Sequence, residues 1–181
     1  KFLLKKRLKR AINNDYDQEI GLLGEVVNKK LESIDVGVYR GVYSYQMSKL
    51  SSHVHSFEPN PLIYPYLEKN LTSIISNMTL YDMALSDKSE VVDLKIPKRF
   101  KVLIKKNYEE AYKLGLATIH KENSLGKNNF SIFKVKPEKL DNIIQNRKIG
   151  FIKIDVEGHE KNVLIGSEMI IKKYKPNLLV E

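Results

Sequence analysis

An open α/β fold, with a mostly parallel sheet and helices on both faces, is what this sequence predicts, and three stretches predict it. Leu31 to Ser44, Leu-Glu-Ser-Ile-Asp-Val-Gly-Val-Tyr-Arg-Gly-Val-Tyr-Ser, reads as a strand over Leu31 to Val36, a tight turn, and a helix opening near Gly41. His53 to Glu58 reads as a second strand, which completes a strand–helix–strand unit of the kind that forces parallel pairing. Ile149 to Asp155 is apolar at alternate and adjacent positions, as a strand buried on both faces should be. Met78 to Ala84 supplies strand three and Asn177 to Glu181 strand five, so the expected strand order is 3-2-1-4-5.

Size and composition narrow the class. At 181 residues the expectation is one domain over 1–181, large enough to bury roughly two thirds of its unfolded surface. The chain is 42% hydrophobic and 29% charged, ordinary values for a globular protein. No apolar run approaches the ~20 residues that a membrane helix requires. The absence of cysteine rules out disulfides and thiolate metal sites and fits a reducing compartment, so cytoplasm is the default reading.

The net charge of +9 is concentrated at one end. Six of the first ten residues are Lys or Arg, and without them the remaining chain carries a formal charge of only +3. That distribution does not favour a nucleic-acid partner. Residues 1–14 read as a basic amphipathic helix, with Leu4, Leu8 and Ile12 at helical spacing among Lys5, Lys6, Arg7, Lys9 and Arg10. Its apolar stripe is expected to pack on the domain, and weak contact of residues 1–12 with an anionic membrane surface is the functional alternative.

Further along, Asp15 to Lys30 has a helical period that leads into strand one, and Tyr43, Met47 and Leu50 mark a helix running to about Ser51. A helix is expected from Asn60-Pro61 onward, its start displaced by Pro65. Glu90 to Ile96 alternates like an edge strand. The segment 97–136 is an insertion expected to lie over the pocket and select the substrate. Within it Tyr108 to Leu114 reads as helix, Leu116 to His120 and Phe130 to Val135 as strands, and Asn123 to Asn129 as the loop between them. A short helix over Leu140 to Ile144 follows. After strand four, Val163, Leu164, Ile170 and Ile171 mark the packed face of a helix stopped by Lys175-Pro176.

Ligands of open α/β sheets bind outside the carboxyl ends of the strands, and the candidate residues collect there. Gly37 can take backbone angles closed to other residues and lets a ligand approach the main chain, while Asp35 ends strand one at the same crevice. Glu58, in Phe-Glu-Pro-Asn-Pro, lies 21 residues beyond Gly37, the separation at which a carboxylate meets a nucleoside ribose. Asp82 to Asp87 offers carboxylates and small residues suited to an adenine. Asp155-Val-Glu-Gly-His-Glu places three proton-moving groups, Asp155, Glu157 and His159, within five residues. A divalent ion is a possible occupant of those groups, although the site is read here without one. A nicotinamide dehydrogenase is disfavoured, because Tyr39 stands where pyrophosphate approach needs a second glycine.

Taken in order, Ile-Asp-Val-Gly…Gly-Val-Tyr-Ser, Phe-Glu-Pro-Asn-Pro, Ala-Leu-Ser-Asp and Ile-Lys-Ile-Asp-Val-Glu-Gly-His-Glu resemble the FkbM-type family of S-adenosylmethionine-dependent methyltransferases, over about Glu19 to Glu181. The resemblance implies a class I methyltransferase (Rossmann-like) fold and S-adenosyl-L-methionine as cofactor. It also implies methylation of a hydroxyl on a sugar, glycolipid or natural product. By matching position, Asp35, Gly37, Tyr39 and Gly41 would border the methionine part, Glu58 with Asn60 the ribose, and Asp82, Ala84 and Leu85 the adenine. Asp155 would face the methyl group; on their own chemistry His159 is the expected base, Glu157 a further proton-moving group and His120 in the insertion a second candidate base. The chain departs from the family at Val38-Tyr39, where Ala-Asn is common, which puts bulk beside the cofactor. The family's seven-stranded sheet also needs two strands beyond Glu181, so a further segment or a partner is expected to cover strand five. An RNA methyltransferase, or a binding module whose site is filled by Tyr39, are the alternative readings.

Overall fold

The structure, a computed structural model, describes residues 2–13, 19–97, 117–119 and 130–181. Helices α1 (Phe2–Asn13) and α2 (Glu19–Val26) lead into β1 (Glu32–Val36), followed by α3 (Val42–Met47), β2 (His53–Phe57), α4 (Tyr64–Asn70) and β3 (Met78–Tyr81). Strands β4 (Val92–Pro97) and β5 (Phe130–Val135) come next, then α5 (Leu140–Ile143), β6 (Ile149–Ile154), α6 (Glu160–Ile165), α7 (Glu168–Tyr174) and β7 (Asn177–Val180). The main sheet is parallel, in the order β3-β2-β1-β6-β7. This is the expected 3-2-1-4-5 arrangement, with β6 and β7 as its fourth and fifth members.

Strand alternation divides the core into layers. Ile34, Val36, Phe57, Ile152 and Ile154 share one face and pack on Leu140, Ile144, Val163 and Ile170. Val54 and Phe151 turn to the other face, against Leu23 of α2 and Met47 of α3. A third cluster joins α1 and α4 to the turn after β1: Leu8 is buried, and Leu4 and Ile12 pack beside it on Val38, Tyr45, Leu67 and Leu71. The apolar stripe of α1 therefore faces the domain, and Lys5, Lys6, Lys9 and Arg10 stay exposed.

Several sequence expectations are corrected by the structure. The Glu90–Ile96 segment does not edge the main sheet, because β4 pairs antiparallel with β5 in a separate two-stranded sheet. Strand β3 stops at Tyr81, short of Ala84, and the chain then joins Glu138, whose backbone exchanges hydrogen bonds with Ala84 and Ser86. Helix α3 ends at Met47, before Ser51. The single helix expected after β6 is two, broken at Gly166-Ser167. A Cβ on Gly166 would stand 2.1 Å from the Ser86 carbonyl oxygen, and the Asp141 carboxylate accepts the Met169 and Ile170 N–H groups that open α7, both at 2.9 Å. Pro65 falls in the first turn of α4, where its missing N–H costs no helical bond. The expected helix 108–114, the 123–129 loop, His120 and the start of the 15–30 helix lie outside the described residues.

At the centre, Gly37 adopts φ 86°, and a Cβ there would sit 1.9 Å from the carbonyl oxygen of Asp155. The glycine that lines the cavity after β1 also admits the close approach of the chain after β6. Gly37→Ala is accordingly expected to lose at least about 2 kcal/mol in urea unfolding, from the left-handed conformation and forced displacement of β6. Gly21, in α2, has nothing within 4 Å of its would-be Cβ. Gly21→Ala should gain about 0.5–1 kcal/mol in the same assay.

Candidate active site

A cavity of about 360 Å³ opens where β1, β2 and β6 end. Gly37, Val38 and Tyr39 form its wall after β1, Glu58 and Pro59 after β2, and Asp155, Val156, Glu157 and His159 after β6. Met83, Ala84 and Leu85 add an apolar side, and Phe57 lies at its base. Leu94 of β4, with Ala117 and Ile119 from the insertion, closes the opposite side. The stretch 117–119 is anchored there by Thr118. Its backbone pairs with Lys95 at 2.9 and 3.1 Å, and its hydroxyl donates to the Glu157 carbonyl at 2.7 Å.

Glu58 is the most fully built member. The Tyr39 N–H donates to its Oε2 at 2.8 Å and the Asn60 N–H to its Oε1 at 2.9 Å. Tyr39 reaches this position with φ 49°, unusual for a side chain of its size. Burial pushes the Glu58 carboxyl up to about 7, against the pull of those two N–H groups. Tyr39 packs against the cluster of Leu8, Val38 and Leu67 and also lines the cavity. Asn60 is fully buried and does not line the cavity. Its Oδ1 accepts the Leu62 N–H at 3.0 Å, so it shapes the turn that presents Glu58.

Besides Asn60, three residues expected at the cofactor stand elsewhere. Asp35 is wholly buried beneath the cavity, because strand alternation turns it toward α3, where the Ser44 hydroxyl donates to its Oδ2 at 2.5 Å. Burial raises its pKa, opposed by Lys153 and Ser44. Gly41 caps the start of α3 at φ 75° and packs toward Leu71. Asp82 is exposed outside the cavity wall, where partial burial and then the charge of Glu68 raise its pKa. Its neighbours Ala84 and Leu85 do line the cavity.

The cluster after β6 is only partly convergent. Asp155 accepts from the Lys153 ammonium at 2.9 Å and faces the cavity. Glu157 adopts φ 55°, and burial followed by the charges of Asp155 and Glu181 raises its pKa. His159 precedes α6, and its carbonyl accepts the Asn162 and Val163 N–H groups. Its Nε2 lies 2.9 Å from the Ser86 hydroxyl, which also donates to Asp87 Oδ1 at 3.1 Å. Among the described residues, no group of three or more imidazole or carboxylate side chains is arranged to hold a metal ion.

Sequence reasoning missed Lys153. Its signal was present: a lysine within an otherwise apolar strand that is buried on both sides demands a counter-charge. Ser44, Ser56 and Ser86 were also missed as hydrogen-bonding partners, although Ser44 and Ser86 fall within the motifs Gly-Val-Tyr-Ser and Ala-Leu-Ser-Asp.

The geometry now has its comparisons. No curated protein matches the sequence. The crystal structure of Methyltransferase FkbM from Methylobacillus flagellatus KT is similar in fold, with a TM-score of 0.53 at 17% identity. The match covers 84% of this chain and 33% of that one, so the present chain spans about a third of its length. The family model described as Methyltransferase FkbM domain matches residues 35–181, from the end of β1 onward, a range that holds all the cavity-lining residues named above. This chain therefore belongs to the FkbM methyltransferase domain family.

Proposed function

We propose that the chain is an S-adenosylmethionine-dependent O-methyltransferase whose acceptor is a hydroxyl of a sugar, glycolipid or natural product. The observation that carries this reading is Glu58. Two backbone N–H groups orient its oxygens, and each oxygen keeps a second lone pair for a ribose hydroxyl. The surrounding residues fit such a ligand: Phe57, Met83, Ala84 and Leu85 suit a flat base, and about 360 Å³ lies within the usual range for small-molecule sites. When bound, the cofactor supplies a methyl group on a positively charged sulfur.

The chain's own residues align the acceptor and take its proton. In-line alignment alone supplies up to ~7–11 kcal/mol of a barrier of this kind. Asp155 is assigned to positioning at the end of β6. His159 is assigned as the base, oriented by Ser86, and Glu157 is the second group able to accept a proton. Leu94, Ala117 and Ile119 keep water from that side of the site and touch the acceptor.

Two measurements test the cofactor reading. Glu58→Gln should weaken S-adenosylmethionine and S-adenosylhomocysteine binding by about 2–4 kcal/mol, roughly 30-fold to 800-fold, in calorimetry at pH 8. Unaltered affinity in a folded variant would remove Glu58 from the ribose.

The second is the pH profile. The carboxylate form accepts the hydroxyls, so affinity should fall about tenfold per unit below pH 7, and binding near pH 7 should release a proton. The stability contribution has the opposite sense. With its pKa raised from 4.5 to about 7, Glu58 contributes fully below 4.5, and that contribution is lost as pH rises through 7. A flat affinity profile between pH 5.5 and 8.5 would contradict the assignment.

A further inference from the structure

Lys153 has no role in the reading above, yet its placement is specific. It stands opposite Asp35 in the β1–β6 register, on the same face as Asp35 and Ser56, and is only 4% exposed. Its Nζ donates to the Gly37 carbonyl at 3.0 Å and to Asp155 Oδ2 at 2.9 Å. The ring of Tyr43 lies 4.9 Å away, and Asp35 Oδ1 3.8 Å away. That oxygen is buried and makes no hydrogen bond, whereas its twin is held by Ser44.

A buried ammonium is costly unless it is paired, and here one carboxylate would suffice for that. This lysine has two, of which only Asp155 reaches the cavity, and its remaining bond goes to the carbonyl of the other cavity-lining strand end. Charge balance requires none of that second connection.

We propose that Lys153 is a positioning residue for the cofactor: its ammonium ties the Gly37 carbonyl at the end of β1 to the Asp155 carboxylate at the end of β6, and so sets the spacing of the two walls between which the ligand lies. Asp35 is its buried counter-charge. The proposal rests on the S-adenosylmethionine reading.

The test compares Asp35→Asn with Asp35→Asn/Lys153→Met, so that no buried carboxylate is left uncompensated when the ammonium is removed. Adding Lys153→Met should weaken both S-adenosylmethionine and S-adenosylhomocysteine at least tenfold in calorimetry, while the urea midpoint stays unchanged. A purely structural lysine would give the reverse, a lowered midpoint with affinities within tenfold, and that result overturns the proposal. Should the double variant not fold, ¹⁵N NMR of the wild-type protein decides. Saturating S-adenosylhomocysteine should shift the Lys153 ammonium and Gly37 amide signals together, and unmoved signals would overturn the proposal. Wild-type protein that binds neither ligand would instead bring down the cofactor reading itself.

Discussion

Three strand ends meet at Gly37, and the cavity exists because they can. Its N–H donates to Phe57 of β2 at 3.1 Å, its carbonyl accepts from Lys153 of β6, and the preceding Val36 carbonyl accepts the Asp155 N–H at 3.0 Å. Any Cβ would intrude on the Asp155 carbonyl, so the approach of β6 to β1 depends on a residue without one. Once that contact is made, the carboxyl ends of β1, β2 and β6 open around a common space. The residues following β1 and β6 become neighbours although more than a hundred positions separate them in sequence.

Charge is distributed around this junction unequally. Four carboxylates, Asp35, Glu58, Asp155 and Glu157, lie near one buried lysine, and burial raises the pKa values of Asp35, Glu58 and Glu157. Glu58 is held by backbone N–H groups instead of a cation, so it stays close to its protonation midpoint near neutral pH. Asp35 serves the interior and Glu58 serves the cavity. Asp35 lies within β1 whereas Glu58 follows the last residue of β2, and that position along the strand decides the difference.

The second sheet contributes to the site from outside the parallel core. Strand β4 carries Leu94 to the cavity, and Thr118 fastens the insertion to the loop after β6 through Glu157. The side of the cavity formed by residues 117–119 and the loop after β6 are thereby joined by one hydrogen bond.

Local pattern determined the parallel sheet, its order, the turn at Gly37, and the place of Glu58 at the carboxyl end of the second strand, because alternation and turn chemistry act over a few residues and are written in consecutive positions. The packing of Leu4, Leu8 and Ile12 was legible for the same reason. Tertiary structure alone decided that Asp35 lies under the cavity, that Asp82 stays outside it, and that β4 leaves the main sheet for β5. It also decided that Ser86 holds His159 and that Lys153 joins Gly37 to Asp155. These outcomes depend on which face a side chain takes against a distant strand and on how the desolvation of one charge is offset by another. A sequence names the charges, but only the assembled strand register sets the few ångströms between them on which their energies depend.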